Sequence, residues 1–126
     1  MTVLVDTTLL VDHLRDRRMA VELLSELLRS DDVVWAATPS RTEVIAGIRE
    51  RERGPMARLF GLLSWVEVDA EIADAAGELS REFRRSHPAI DTADFLIAAA
   101  ALSIGARLVT SNVKHYPMFP GLESAY

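Results

Sequence analysis

The chain has 126 residues, 49% of them hydrophobic, which suits one domain with one real core. It has no cysteine, so disulfides, thiolate zinc sites and cysteine nucleophiles are excluded. A formal net charge of −5 argues against coating nucleic acid through bulk positive charge, though not against meeting phosphate through a divalent cation that reverses the local sign.

In chain order, Val3-Leu4-Val5 reads as a strand buried on both faces, ending at Asp6. This N-terminus has no basic region and does not read as a signal peptide. The longest apolar runs, such as residues 95–102, are far too short to span a membrane, so the expected location is cytoplasmic. A helix over residues 7–15 carries Leu9, Leu10, Val11 and Leu14, and a second has the stripe Val21, Leu24, Leu27 and Leu28. Residues 33–37 form a second strand. Thr38 as cap and Pro39 at the first helical position then open a helix with Glu43 in its first turn. That helix ends at the charged run 49–53 and the breaker Gly54-Pro55, and another runs from Met56 to about Leu63. Residues 65–68 are a third strand, with Asp69 capping a helix whose buried face is Ile72, Ala76, Leu79 and Phe83. After a turn at 86–88, an alanine-rich helix spans 90–104 and ends at Gly105. Residues 106–110 form the fourth strand, followed by Ser111-Asn112 and an irregular tail with at most one short edge strand.

Strands alternating with helices imply an α/β fold with a parallel sheet covered on both faces. Such sheets bind ligands outside the carboxyl ends of their strands. Asp6, Glu43 and Asn112 fall at or just beyond such ends and Asp94 in the first turn of the helix that feeds the fourth strand, so four residues far apart in sequence could meet at one edge of the sheet. Carboxylates brought together repel one another unless protons or cations neutralise them. Hard divalent ions prefer such oxygen ligands, and no histidine or cysteine stands at zinc-like spacing. A cation held this way can lower the pKa of water and clamp a phosphodiester, so the implied reaction is phosphodiester hydrolysis. Each acid also has a plainer reading. Asp91, Asp94 and Glu43 are acids at helix starts, where caps are common, and Asp6 can cap the helix after it.

The residues around these positions resemble PIN domains. Val5-Asp6-Thr7-Thr8-Leu9-Leu10-Val11-Asp12 looks like their opening block, and residues 38–47, centred on Glu43, look like the second. The run from Asp94 to Ala101 is the most specific match, and Leu108 to Tyr116 looks like the fourth block. Order, spacing and length are closest to the VapC toxins of toxin–antitoxin pairs. The resemblance implies a single three-layer α/β/α domain over residues 1–126, with a central parallel sheet of four to five strands. It implies an endoribonuclease using Mg²⁺ or Mn²⁺, with Asp6, Glu43 and Asp94 as metal ligands and Asp91 as an accessory one. Asn112 takes a position that is acidic in many relatives; being neutral, it favours one tight ion over two. Thr8 and Ser111 are implied near the site. The implied partners are RNA as substrate, a VapB-type antitoxin and a second copy in a homodimer.

Other features read as structural. His13, His87 and His115 are expected on the surface or in turns, and Asp12 in solvent. Trp35 and Trp65 are expected to pack in or beside the sheet. Arg49, Arg51, Arg53 and Arg58, interleaved with Glu50 and Glu52, suit either a solvated helix end or a contact with RNA backbone or partner. Two rival functions remain at this point. One is an Mg²⁺-dependent phosphotransfer domain, which would want a second acid close to Asp6. The other is a PIN-like module that binds RNA or protein without cutting.

Overall fold

A computed structural model describes all 126 residues. Its elements in order are β1 (Thr2–Val5), α1 (Thr7–Leu14), α2 (Arg18–Arg29), β2 (Val33–Ala37), α3 (Thr38–Gly47), a 3₁₀ turn (Glu50–Glu52), α4 (Arg53–Leu62), β3 (Ser64–Val66), α5 (Ala70–Phe83), α6 (Thr92–Ser103), β4 (Arg107–Val109) and a second 3₁₀ turn (Val113–His115). The four strands form one parallel sheet in the order β3-β2-β1-β4.

Alternation along the strands builds the layers, because successive side chains point to opposite faces. Val3, Val5, Val34 and Ala36 turn into a core shared with Leu9, Leu10, Leu24, Val44 and Phe60 from the first four helices. Leu4 and Ala37 turn into a second core with Ile72, Ala76, Phe95, Ile97 and Tyr116. The result is the expected three-layer α/β/α arrangement. Helix α6 is buried nearly all round, with Ala98, Ala100 and Ala101 fully inaccessible. Its alanines let it lie close to both the sheet and α5. Gly105 takes φ +62°, which turns the chain from α6 into β4 without a Cβ penalty.

Several boundaries differ from the sequence expectation. Gly54-Pro55 does not separate two helices; it lies in the first turn of α4. The first amides of a helix have no intrahelical acceptor, so proline costs nothing there. Thr38 is inside α3, and Ala37 is the capping residue. The Thr38 hydroxyl accepts from Val68 N at 3.3 Å instead, and this holds the chain that leaves β3. The tail adds no fifth strand. A single bond from Ala125 N to the Thr110 carbonyl, 2.8 Å, ties it to the end of β4.

Candidate functional site

The strand order places a switch point between β1 and β4. From β1 the chain proceeds outward through β2 and β3, then returns to the other side of β1. Beyond the carboxyl ends of these two strands lies a pocket of about 280 Å³, lined by Asp6, Thr7, Thr8, Val11, Glu43, Asp91, Asp94, Asn112, His115 and Tyr116. It brings together segments from both ends and the middle of the chain.

Asp6 is 2% exposed. One carboxylate oxygen caps α1 by accepting from Leu9 N at 3.2 Å; the other accepts from the Thr110 hydroxyl at 2.5 Å. Thr110 in turn accepts from Asn112 N at 2.9 Å. Capping therefore accounts for one oxygen of Asp6 only. Burial pushes its carboxyl up to about 6, the two hydrogen bonds oppose the rise, and the charges of Asp94 and Asp12 add to it.

Glu43 lies in the second turn of α3, not the first, so helix capping cannot explain it. It accepts from the Thr7 hydroxyl at 2.6 Å, and Thr7 Oγ1 is also 2.9 Å from the Oγ of buried Ser40. These bonds tie the start of α1 to α3 across the mouth of the pocket.

Asp91 and Asp94 form a capping box at the start of α6. Asp91 Oδ1 accepts from Asp94 N at 3.0 Å and Asp94 Oδ2 accepts from Asp91 N at 3.3 Å. Capping and pocket lining thus coexist at both residues. Asp94 is also held from the opposite side: His115 Nδ1 lies 2.8 Å from Oδ2, and the Tyr116 hydroxyl donates to Oδ1 at 3.4 Å. An ionised carboxylate can only accept, so Nδ1 carries the hydrogen. Burial and the neighbouring Asp91 charge raise the Asp94 carboxyl above its ordinary range. Burial, then the Asp6 and Asp94 charges, push the Tyr116 phenol far upward, so it stays a neutral donor.

Thr8 and Asn112 line the pocket as expected, whereas Ser111 is not among the lining residues. Sequence reasoning missed Thr7, Thr110, Tyr116 and above all His115, which it assigned to the surface or a turn and not to the site. Only the second 3₁₀ turn, Val113–His115, brings that imidazole over Asp94. Asp12 is not in open solvent either. It accepts from the Tyr126 hydroxyl at 2.6 Å and pairs with Arg17 at 3.3 Å. His13 is half-buried, with its Nδ1 unpartnered, and burial lowers its pKa. Trp65 packs edge-on to Phe60, beneath Arg41.

No three acidic or histidine side chains converge as a ready-made metal cage. Each carboxylate is turned onto a protein donor instead. The donor set nevertheless fits a hard divalent cation: the acids and Asn112 offer oxygen ligands, His115 turns its Nδ1 onto Asp94, and Asp94 electrostatically opposes ionisation of Asp6. A larger groove of about 870 Å³ runs between β2, β3, α5 and α6, but it is mostly apolar and its acids Glu67, Asp69, Glu71 and Glu78 come from one stretch of chain. Convergence of distant polar groups singles out the smaller pocket.

This sheet order, with acids gathered at the switch point, defines an α/β domain of one known kind. The sequence profile of the PIN domain matches residues 3–116, and the chain belongs to the PIN-domain family. Its relatives there are VapC proteins. It is 43% identical over 123 residues to Ribonuclease VapC19 of Mycobacterium tuberculosis, covering 98% of each chain. It is 36% identical over 124 residues to Ribonuclease VapC10 of the same organism, covering 98% of this chain and 92% of the relative. Among solved structures, VapBC2 from Rickettsia felis bound to a fragment of its promoter DNA shares the fold at a TM-score of 0.79 and 20% identity, covering 97% and 96% of the two chains. A toxin–antitoxin complex from Klebsiella pneumoniae does so at 0.77 and 23%, covering 98% of both.

Proposed function

We propose that this chain is a Mg²⁺- or Mn²⁺-dependent endoribonuclease, the toxin of a toxin–antitoxin pair. It cuts RNA in the cytoplasm as a homodimer until a VapB-type antitoxin covers it. The observation that carries this is the gathering of Asp6, Glu43, Asp91 and Asp94, with Asn112, on one pocket at the switch point. The relatives named above are ribonucleases, and the solved neighbours are toxin–antitoxin complexes; together they support the activity and the class of partner.

Asp6, Glu43 and Asp94 would hold the cation, with Asp91 as accessory. When bound, it supplies charge neutralisation at the scissile phosphate and a more acidic water. The protein's own part is positional. Thr110 fixes Asp6, Thr7 fixes Glu43, and His115 with Tyr116 fixes Asp94, so the acids are aimed before substrate arrives. Asn112 and Thr8 face the same space and orient water or phosphate oxygens. Val11, Leu23, Leu28, Ile48 and Met56 pack against the first core while staying partly exposed, and they would supply apolar contacts to the antitoxin.

The test is RNA cleavage by the purified chain with and without EDTA, beside Asp94→Asn, with RNA ends sequenced. Expected is cleavage that EDTA abolishes and that the variant, still folded by circular dichroism, loses by about a hundredfold or more. Full activity of a folded Asp94→Asn chain overturns the assignment.

A further inference from the structure

A nuclease whose pocket is lined by four carboxylates, in a chain of net charge −5, must still draw in a polyanion. A local source of positive charge on an approach to that pocket would add to what a bound cation supplies. One open hollow outside it, of about 430 Å³, is lined solely by Ser80, Arg81, Arg84 and Arg85. Arg84 keeps helical dihedrals and His87 N bonds the Phe83 carbonyl at 2.9 Å, so the helical path of α5 runs on past Phe83. Arg81, Arg84 and Arg85 then share one face by i, i+3 and i+4 spacing. All three are exposed. The arginines paired with side-chain carboxylates are Arg17, Arg18 and Arg53, not these.

A basic residue at a helix C-terminus is ordinary, since it complements the helix dipole. Three guanidinium groups around one hollow exceed that need, and they repel one another until an anion sits between them. The location adds direction. After Arg85 the chain turns, buries Ile90 and enters α6 at Asp91 and Asp94, so the arginines precede the acids of the pocket by a short stretch of chain. Guanidinium groups match phosphate oxygens in bidentate geometry and stay charged at every relevant pH.

We propose that Arg81, Arg84 and Arg85 form a docking site for the phosphodiester backbone of single-stranded RNA, holding phosphates that flank the one being cut. The site adds affinity and register but no chemistry. This builds on the ribonuclease reading above.

The test uses a fluorescently labelled single-stranded RNA and the intact chain with all three arginines changed to alanine. Binding is measured in the Asp94→Asn background with Mg²⁺, and kinetics in the active chain. Expected is a weakening of binding by tenfold or more at moderate salt, with KM raised and kcat within twofold. Losing about three phosphate contacts should make the slope of log affinity against log salt shallower by about 2. A triple lysine variant should recover most of that slope, and changing Arg49, Arg51 and Arg53 to alanine should leave it unchanged. Unaltered affinity and slope in the folded triple alanine variant overturn the docking site, even if the wild-type chain cleaves RNA normally. Loss of antitoxin capture with RNA binding intact also overturns it and reassigns the hollow to an acidic protein. A wild-type chain that binds RNA through these arginines but cuts nothing overturns the nuclease reading alone.

Discussion

Asp6 carries two loads that pull against each other. It caps α1, which favours the ionised form, and it sits almost without solvent beside other acids, which opposes it. A carboxyl that titrates near 6 in the fold and 3.8 in the unfolded chain binds more protons when folded between those values. In the metal-free protein this group therefore lowers stability as pH rises through that window, by roughly 3 kcal/mol once the rise is complete. Asp6→Asn should make the metal-free chain more stable than wild type by about 1–3 kcal/mol at pH 7.5, an advantage that disappears near pH 4. Urea unfolding at both pH values checks this, and equal stability at both removes the buried-charge account. At Asp94 the expectation concerns aim, not charge. His115→Ala deletes the 2.8 Å bond to Oδ2 and, if the proposed cation binds there, should weaken its apparent affinity by about 10–100-fold with little change in melting temperature. A metal titration of cleavage rate that matches wild type would return His115 to the plain surface or turn role its sequence suggested.

Among the elements, α6 is the one whose composition speaks most directly. It must supply Asp91 and Asp94 to the pocket at one end while lying between the sheet and α5 along its length. Alanine satisfies both demands, since it favours helix and leaves room for close approach. Ala100→Leu, at a fully buried position, should cost about 1–3 kcal/mol by overpacking, measured as a lower urea midpoint with unchanged dependence on denaturant. An unaffected midpoint would mean that α6 has slack the structure does not show. Helix α3 teaches a different point. Its start at Thr38 moves Glu43 out of the capping zone, and the bond from Thr7 gives that acid a tertiary purpose. In α4, a proline that looked like a break sits where helices tolerate it.

For the whole molecule, the fold and the site meet at the β1–β4 switch point, so occupancy of the pocket is linked to global stability. A cation that binds the folded chain and not the unfolded one stabilises it by mass action, about 2.7 kcal/mol at a hundred times its dissociation constant. Mg²⁺ or Mn²⁺ should raise the melting temperature of the wild-type chain by several degrees and leave that of Asp6→Asn nearly unmoved. Equal shifts in both would place the ion elsewhere. The acidic side chains and the arginine hollow on the α5–α6 turn together give a chain of net negative charge two local fields of opposite sign.

Sequence by itself determined the period of most elements, the parallel sheet and the order of strands and helices, and it singled out Asp6, Glu43 and Asp94, which the fold brings to one pocket. Hydrophobic periodicity is a local property, and an acid straight after a buried strand is conspicuous in one dimension. Tertiary structure alone decided which donors hold those acids. Thr7 meets Glu43, Thr110 meets Asp6 and His115 meets Asp94 only after the sheet has closed, across separations over which sequence carries no directional signal. It also decided that three arginines at the end of α5 share one hollow, because side-chain convergence depends on where the helical path stops.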